Sequence, residues 1–209
     1  IYSNLGSVYM AISKKDQAAE WFFKALKLYE KLKRDVGQGE TYSNLSSIYY
    51  LLGRTDDAID FQKKSIYFRE KQNDIRGLVI PNINIGQLYI LKDSFALALR
   101  HLKLAVTYAE KISNIKLKAG AYSGMSAYHS KMKEYGPALE WQNKAIALFE
   151  ETDNKPLLSR MYVSAGNLAN ATNDSAGAVN FYRKALDLSL RLGNKENIAN
   201  AYEKMNSFY

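Results

Sequence analysis

The chain holds two histidines, His101 and His129, and no cysteine. Neither histidine has a carboxylate or thiolate at the spacing a metal site needs, so both read as structural. Ser123 stands beside Gly124, but no strand precedes it as a nucleophile elbow requires. Gly120-Ala121-Tyr122-Ser123-Gly124 lacks the spacing of a phosphate-cradling loop. The acidic pairs Asp56-Asp57 and Glu150-Glu151 sit at helix ends and read as caps or solvated faces. No catalytic, cofactor-binding or metal-binding residue is expected, and the chain reads as a non-enzyme.

Two residue types recur at a spacing that matters. Lysines stand at Lys24, Lys64, Lys144 and Lys184, with Lys63 and Arg183 beside two of them. With a net charge of +8 they raise nucleic acid as a partner. A solvated face is the plainer reading. Asparagines stand at Asn4, Asn44 and Asn84, 40 residues apart.

The same interval runs through the whole chain. Ala18, Ala58, Ala98, Ala138 and Ala178 share one column, and Ala25, Ser65, Ala105, Ala145 and Ala185 another. Small residues seven apart lie on one helix face and let a second helix approach to roughly 8–10 Å. That second helix lies upstream. Its columns are Leu5, Leu45, Ile85, Met125 and Ala165, then Gly6, Ser46, Gly86, Ser126 and Gly166, then Tyr9, Tyr49, Tyr89, His129 and Ala169. Each unit is therefore a helix A, a short turn and a helix B. A fixed period of this length is the signature of a solenoid. The tyrosine columns argue for packing between repeats rather than base stacking.

Taken in order, Ser13–Asp16 forms the first A–B turn, and Trp21, Phe22, Leu26, Leu28, Tyr29 and Leu32 are expected on the buried side of the first helix B. Gly53 suits the end of the second helix A, with Thr55 or Asp56 capping the next helix. Pro81 is expected to delay or kink the third helix A. Pro137 and Pro156 fall in opening turns, where the missing N–H is harmless.

Leu5-Gly6-x-x-Tyr9 followed by Ala18, Phe22 and Ala25 resembles the tetratricopeptide repeat. The resemblance implies an all-α, right-handed superhelical solenoid covering residues 1–209 as a single array. The repeats fall at about 1–36, 37–76, 77–116, 117–156 and 157–196, with a partial sixth helix over 197–209. The 40-residue period is similar to the longer-repeat members: kinesin light chains, spindle-orientation scaffolds, Rap-type inhibitors and arrays attached to bacterial sensor kinases.

In that family the helix-A stripe lines a concave groove, and asparagine ladders grip extended peptides there. The resemblance implies a groove of Asn4, Asn44, Asn84, Ser43, Ser47, Ile83, Gln87, Ile90 and Asn167, binding a peptide or protein segment. A carboxylate clamp is disfavoured, because the stripe of the first repeats carries no lysine or arginine. Two alternatives stand beside this. One is a ligand-sensing or autoinhibitory region of a bacterial sensor kinase or transcriptional regulator. The other is nucleic-acid binding through the basic helix-B side, the convex one in this family.

Composition sets limits. Hydrophobic residues are 47% and charged ones 24%, as in folded proteins. No apolar run approaches the length of a membrane span. The absence of cysteine leaves the compartment open. The cytoplasm is the expectation, and the periplasm fits if the chain belongs to a sensor kinase. Ile1 matches Thr41, and Tyr209 falls inside a sixth helix A, so fused domains are expected outside this segment.

Overall fold

The computed structural model describes residues 1–150 and 155–206. Among them are eleven helices and no strand. They are α1 (Tyr2–Ala11), α2 (Lys15–Lys31), α3 (Gln38–Leu51), α4 (Thr55–Lys71), α5 (Ile75–Leu91), α6 (Phe95–Glu110), α7 (Ile115–Lys131), α8 (Tyr135–Glu150), α9 (Lys155–Ala171), α10 (Ser175–Leu192) and α11 (Lys195–Asn206). Odd-numbered helices are the A members and even-numbered ones the B members. The all-α helix-hairpin class expected from the sequence is the one observed. Glu151, Asn154 and the end of the sixth helix A at Tyr209 lie outside the described residues.

The helices form two compact units, Ile1–Ile112 with α1 to α6, and a second from Ser113 with α7 to α11. Within each, the alanine columns are the contact line. Ala18, Ala58, Ala98, Ala138 and Ala178 are all fully buried. The turns repeat as faithfully. Ser13, Gly53, Asp93, Lys133 and Asn173 all adopt positive φ. The next amide in each then reaches back five residues, as Lys14 N–H to the Tyr9 carbonyl at 2.9 Å and Asp174 N–H to that of Ala169 at 3.0 Å. This is the Schellman closure, which satisfies the last helical carbonyls.

Three local expectations are corrected. α5 does not start late at Pro81: it is continuous from Ile75, with Pro81 inside it. Asp74 fixes its start upstream by accepting from Gly77 N–H at 2.8 Å, and Pro81 is buried, so packing offsets the lost hydrogen bond. α4 begins at Thr55 with Arg54 as N-cap, and no side chain caps it. Thr55 and Asp56 are already helical, and Asp57 instead pairs with Arg54 at 2.8 Å. Leu28 and Leu32 are exposed rather than buried. The buried stripe of α2 runs through Ala18, Phe22, Ala25 and Leu26, and Leu28 sits about 200° around the helix from Leu26.

Candidate functional site

The helix-A elements of the first unit place the asparagine column. Leu45 and Ile85 are fully buried and hold α3 and α5 against their neighbours. Asn44 and Asn84 stand one residue before them and are half-buried, and Asn4 is exposed on α1. None of the three amides makes a hydrogen bond among the described residues. Three positions on the situation differs. Gln87 is exposed, and the Ser47 hydroxyl donates back to the Ser43 carbonyl at 3.2 Å. Ile83 is half-buried.

Two of the expected groove residues work internally. The Ser43 hydroxyl donates to Gln62 Oε1 at 3.1 Å and meets the Ser65 hydroxyl at 2.8 Å, tying α3 to α4. Ile90 is buried. Asn167 belongs to the second unit, where it is exposed on α9 and its Oδ1 accepts from the Tyr182 hydroxyl at 2.7 Å. The structure thus sets Asn4, Asn44 and Asn84 on equivalent exposed or half-exposed positions, leaves Gln87 exposed one turn further on, and gives Ser43 and Ile90 packing roles.

The sequence reading missed a second column on this face. Leu51 and Leu91, at the ends of α3 and α5, are 53% and 56% exposed; Ile80, one turn before Asn84 and already expected from the sequence to flank the asparagines, is 50% exposed. The 40-residue spacing of the two leucines was the available signal, but leucine in a periodic column reads as core. The face carries little charge: α1 has no charged residue, α3 has Glu40 and α5 has Arg76.

The lysine column takes a different form. In the first unit Lys24 Nζ lies 4.2 Å from the Trp21 ring centre, and Lys64 lies 5.6 Å from the Tyr42 and Phe61 rings. In the second, Lys144 lies 4.3 Å from Trp141 and Lys184 5.4 Å from Tyr162. Each covers a ring of its own repeat, a contact of about 0.5–1 kcal/mol at exposed sites. Carboxylates share those helices, among them Glu20 and Glu30 on α2 and Asp60 and Glu70 on α4. Both histidines have partners: His101 Nδ1 meets Asn82 Oδ1 at 2.9 Å, and His129 Nδ1 meets Glu134 at 2.6 Å. No described helix is long and apolar enough to cross a membrane.

A family model for the tetratricopeptide repeat matches residues 1–71 and 117–191. The chain belongs to the tetratricopeptide repeat family. No curated protein sequence matches it. Among solved structures, this tetratricopeptide array is similar to the apo form of RapI, with TM-score 0.84 and 16% identity over 96% of this chain and 73% of that one. It is similar to BtubC from P. vanneervenii, with TM-score 0.82 and 15% identity over 92% of this chain and 80% of that one. A Rap protein complexed with Competence and Sporulation Factor gives TM-score 0.77 and 16% identity, over 99% of this chain and 63% of that one. At such identities the likeness is one of fold.

Proposed function

We propose that this array is a protein-interaction module, and that the helix-A face of its first unit binds an extended, largely uncharged segment of a partner protein. One observation carries the reading: Asn44 and Asn84 are half-buried at equivalent positions, with amides that no described residue satisfies. Each amide offers a donor and an acceptor, which matches the N–H and C=O of one peptide unit in an extended chain. Neither amide is among the buried side-chain polar atoms that lack a partner, so both reach solvent and are open to a ligand. Asn4 and Gln87 extend the polar rail, and Ser47 lies beside it. Ile80, Ile83, Leu51 and Leu91 give the ligand's side chains apolar contacts. With Glu40 and Arg76 as the charges here, selectivity comes from shape and apolar fit. A structural neighbour has been seen complexed with Competence and Sporulation Factor, so related architecture accommodates a bound factor.

In this reading the module is the regulatory or scaffolding part of a longer protein and carries no reaction. A sensor-kinase or transcriptional-regulator setting is compatible with it. The nucleic-acid alternative gains no support from lysines that each lie over a ring of their own repeat.

The test is to pan a random peptide library on the folded chain and measure the selected peptides against two double variants. Asn44→Ala with Asn84→Ala is expected to weaken binding by about 0.5–1.5 kcal/mol per lost hydrogen bond. Lys24→Ala with Lys64→Ala is expected to leave it unchanged. Selection of Asp- and Glu-rich peptides whose binding the lysine variant abolishes overturns the reading.

A further inference from the structure

In four of the five repeats one arrangement recurs. A helix-A tyrosine ring faces a helix-B aromatic ring: Tyr2 with Trp21, Tyr42 with Phe61, Tyr122 with Trp141, and Tyr162 with Phe181, at 5.4 to 6.4 Å between centres. Lys24, Lys64, Lys144 or Lys184 covers the pair. In the third repeat all three positions change together, to Asn82, His101 and Leu104.

The replacement is a hydrogen-bonded pair. Asn82 is 1% exposed, and its Nδ2 donates to the Leu78 carbonyl at 2.8 Å. That leaves Asn82 Oδ1 to accept from His101 Nδ1 at 2.9 Å. The neutral imidazole therefore carries its proton on Nδ1, an assignment that follows from the hydrogen-bond network. Its Nε2 is the nitrogen where a second proton would add. The ring is half-buried and stacks on Tyr89 at 5.7 Å. α5, which carries Asn82 and Tyr89, also holds Pro81, whose missing N–H leaves the Gly77 carbonyl without its helical donor.

The surroundings oppose a positive charge on this ring. Burial lowers the His101 pKa from 6.5, and the cations Arg100, on its own helix, and Lys63, on α4, lower it further. Packed against it, α5 presents Asn82 and Tyr89; that helix has no carboxylate, and its one charged residue is Arg76. On α4, Asp60 pairs with Lys63, Asp57 with Arg54, and Asp56 with Lys92. Glu110, the carboxylate of α6 itself, is nine residues on, about 13 Å along the helix.

We propose that the Asn82–His101 pair is an acid-sensitive joint, at which the α5–α6 hairpin opens in mild acid while the first two repeats stay closed. The direction follows from proton linkage. The unfolded chain takes up a proton near pH 6.5, and the folded ring does so only at lower pH. Between those points the unfolded state binds more protons, so stability falls as pH falls through the window. The ring pairs of the other repeats contain no nitrogen that titrates there. This inference stands on the packing of the third repeat and does not depend on the peptide-binding reading.

The test uses the full chain in two measurements. An NMR titration of both imidazoles gives the His101 midpoint, expected below 6.5. Hydrogen exchange, read as protection relative to α3–α4, is followed from about pH 7.5 to about pH 5.5. Protection of α5–α6 is expected to fall more than that of α3–α4. Asn82→Tyr with His101→Phe, the pair found in the second repeat, is expected to remove the difference, and so is His101→Gln, which keeps a donor for Asn82. A His101 midpoint at or above 6.5, or variants that retain the wild-type loss, overturns the proposal; if neither variant folds, the wild-type titration and exchange decide it.

Discussion

One residue position shows how this chain solves the same contact in two ways. Where helix A has glycine, helix B has a large side chain opposite: Gly6 with Phe22, Gly86 with Leu102, Gly166 with Tyr182. Where helix A has Ser46 or Ser126, helix B has Gln62 or Gln142 at the matching position, and each serine hydroxyl donates to the alanine-column carbonyl, Ala58 at 2.7 Å and Ala138 at 2.8 Å. A Cβ on Gly86 would come within 2.7 Å of the Leu102 side chain, too close without movement. Gly86→Ser alone should therefore destabilise by about 1–3 kcal/mol, the usual cost of overpacking. Adding Leu102→Gln recreates the pairing of the second and fourth repeats and should recover part of that loss. A thermodynamic cycle by chemical denaturation checks it, and additive single effects would show that the two positions are independent.

The five A–B turns have nearly one backbone shape but unequal capping. The N-cap dihedrals are −87° and 71° at Lys14, −92° and 68° at Arg54, and −88° and 74° at Asp174. Asp174 uses its side chain, accepting from Gly177 N–H at 2.8 Å, whereas Lys14 and Arg54 make no cap. The backbone at Lys14 is thus already set for an aspartate. Lys14→Asp should stabilise the chain by about 0.5–1 kcal/mol through the new cap and the favourable charge at a helix N-terminus. Arg54→Asp should gain less, because it removes the ion pair with Asp57. Midpoints of urea unfolding for the two variants check the order.

At the scale of the molecule, period and helix identity were legible because small residues recur in two columns at a fixed 40-residue interval. The caps were not, since Thr55 and Asp56 have the right chemistry one and two residues too late, a difference that backbone geometry decides. Nor was the split of the proposed site. Ser43 and Asn44 are adjacent polar residues on one helix, yet one is bound to Gln62 and the other's side chain has no hydrogen-bond partner among the described residues. Only the partner helix distinguishes them. The same dependence on neighbours shapes stability. In the first unit Ile48 and Leu88 are buried to 0% and 5% exposure by the preceding repeat, while Val8, in the equivalent place on α1, is 57% exposed. A stack of this kind draws its stability from nearest-neighbour contacts, and those described for α1 are with α2 and α3. It is also the shortest described helix, ten residues, and no side chain caps its start. Hydrogen exchange at about pH 7.5, about one unit above the ordinary imidazole pKa, should show α1 opening before α3 and α5. Val8→Ala should cost little, whereas Ile48→Ala should cost about 2–5 kcal/mol, as buried large-to-small changes do. Equal losses at the two sites, or earlier exchange in α3 than in α1, would show that the unit folds as one cooperative body and not as a stack of neighbours.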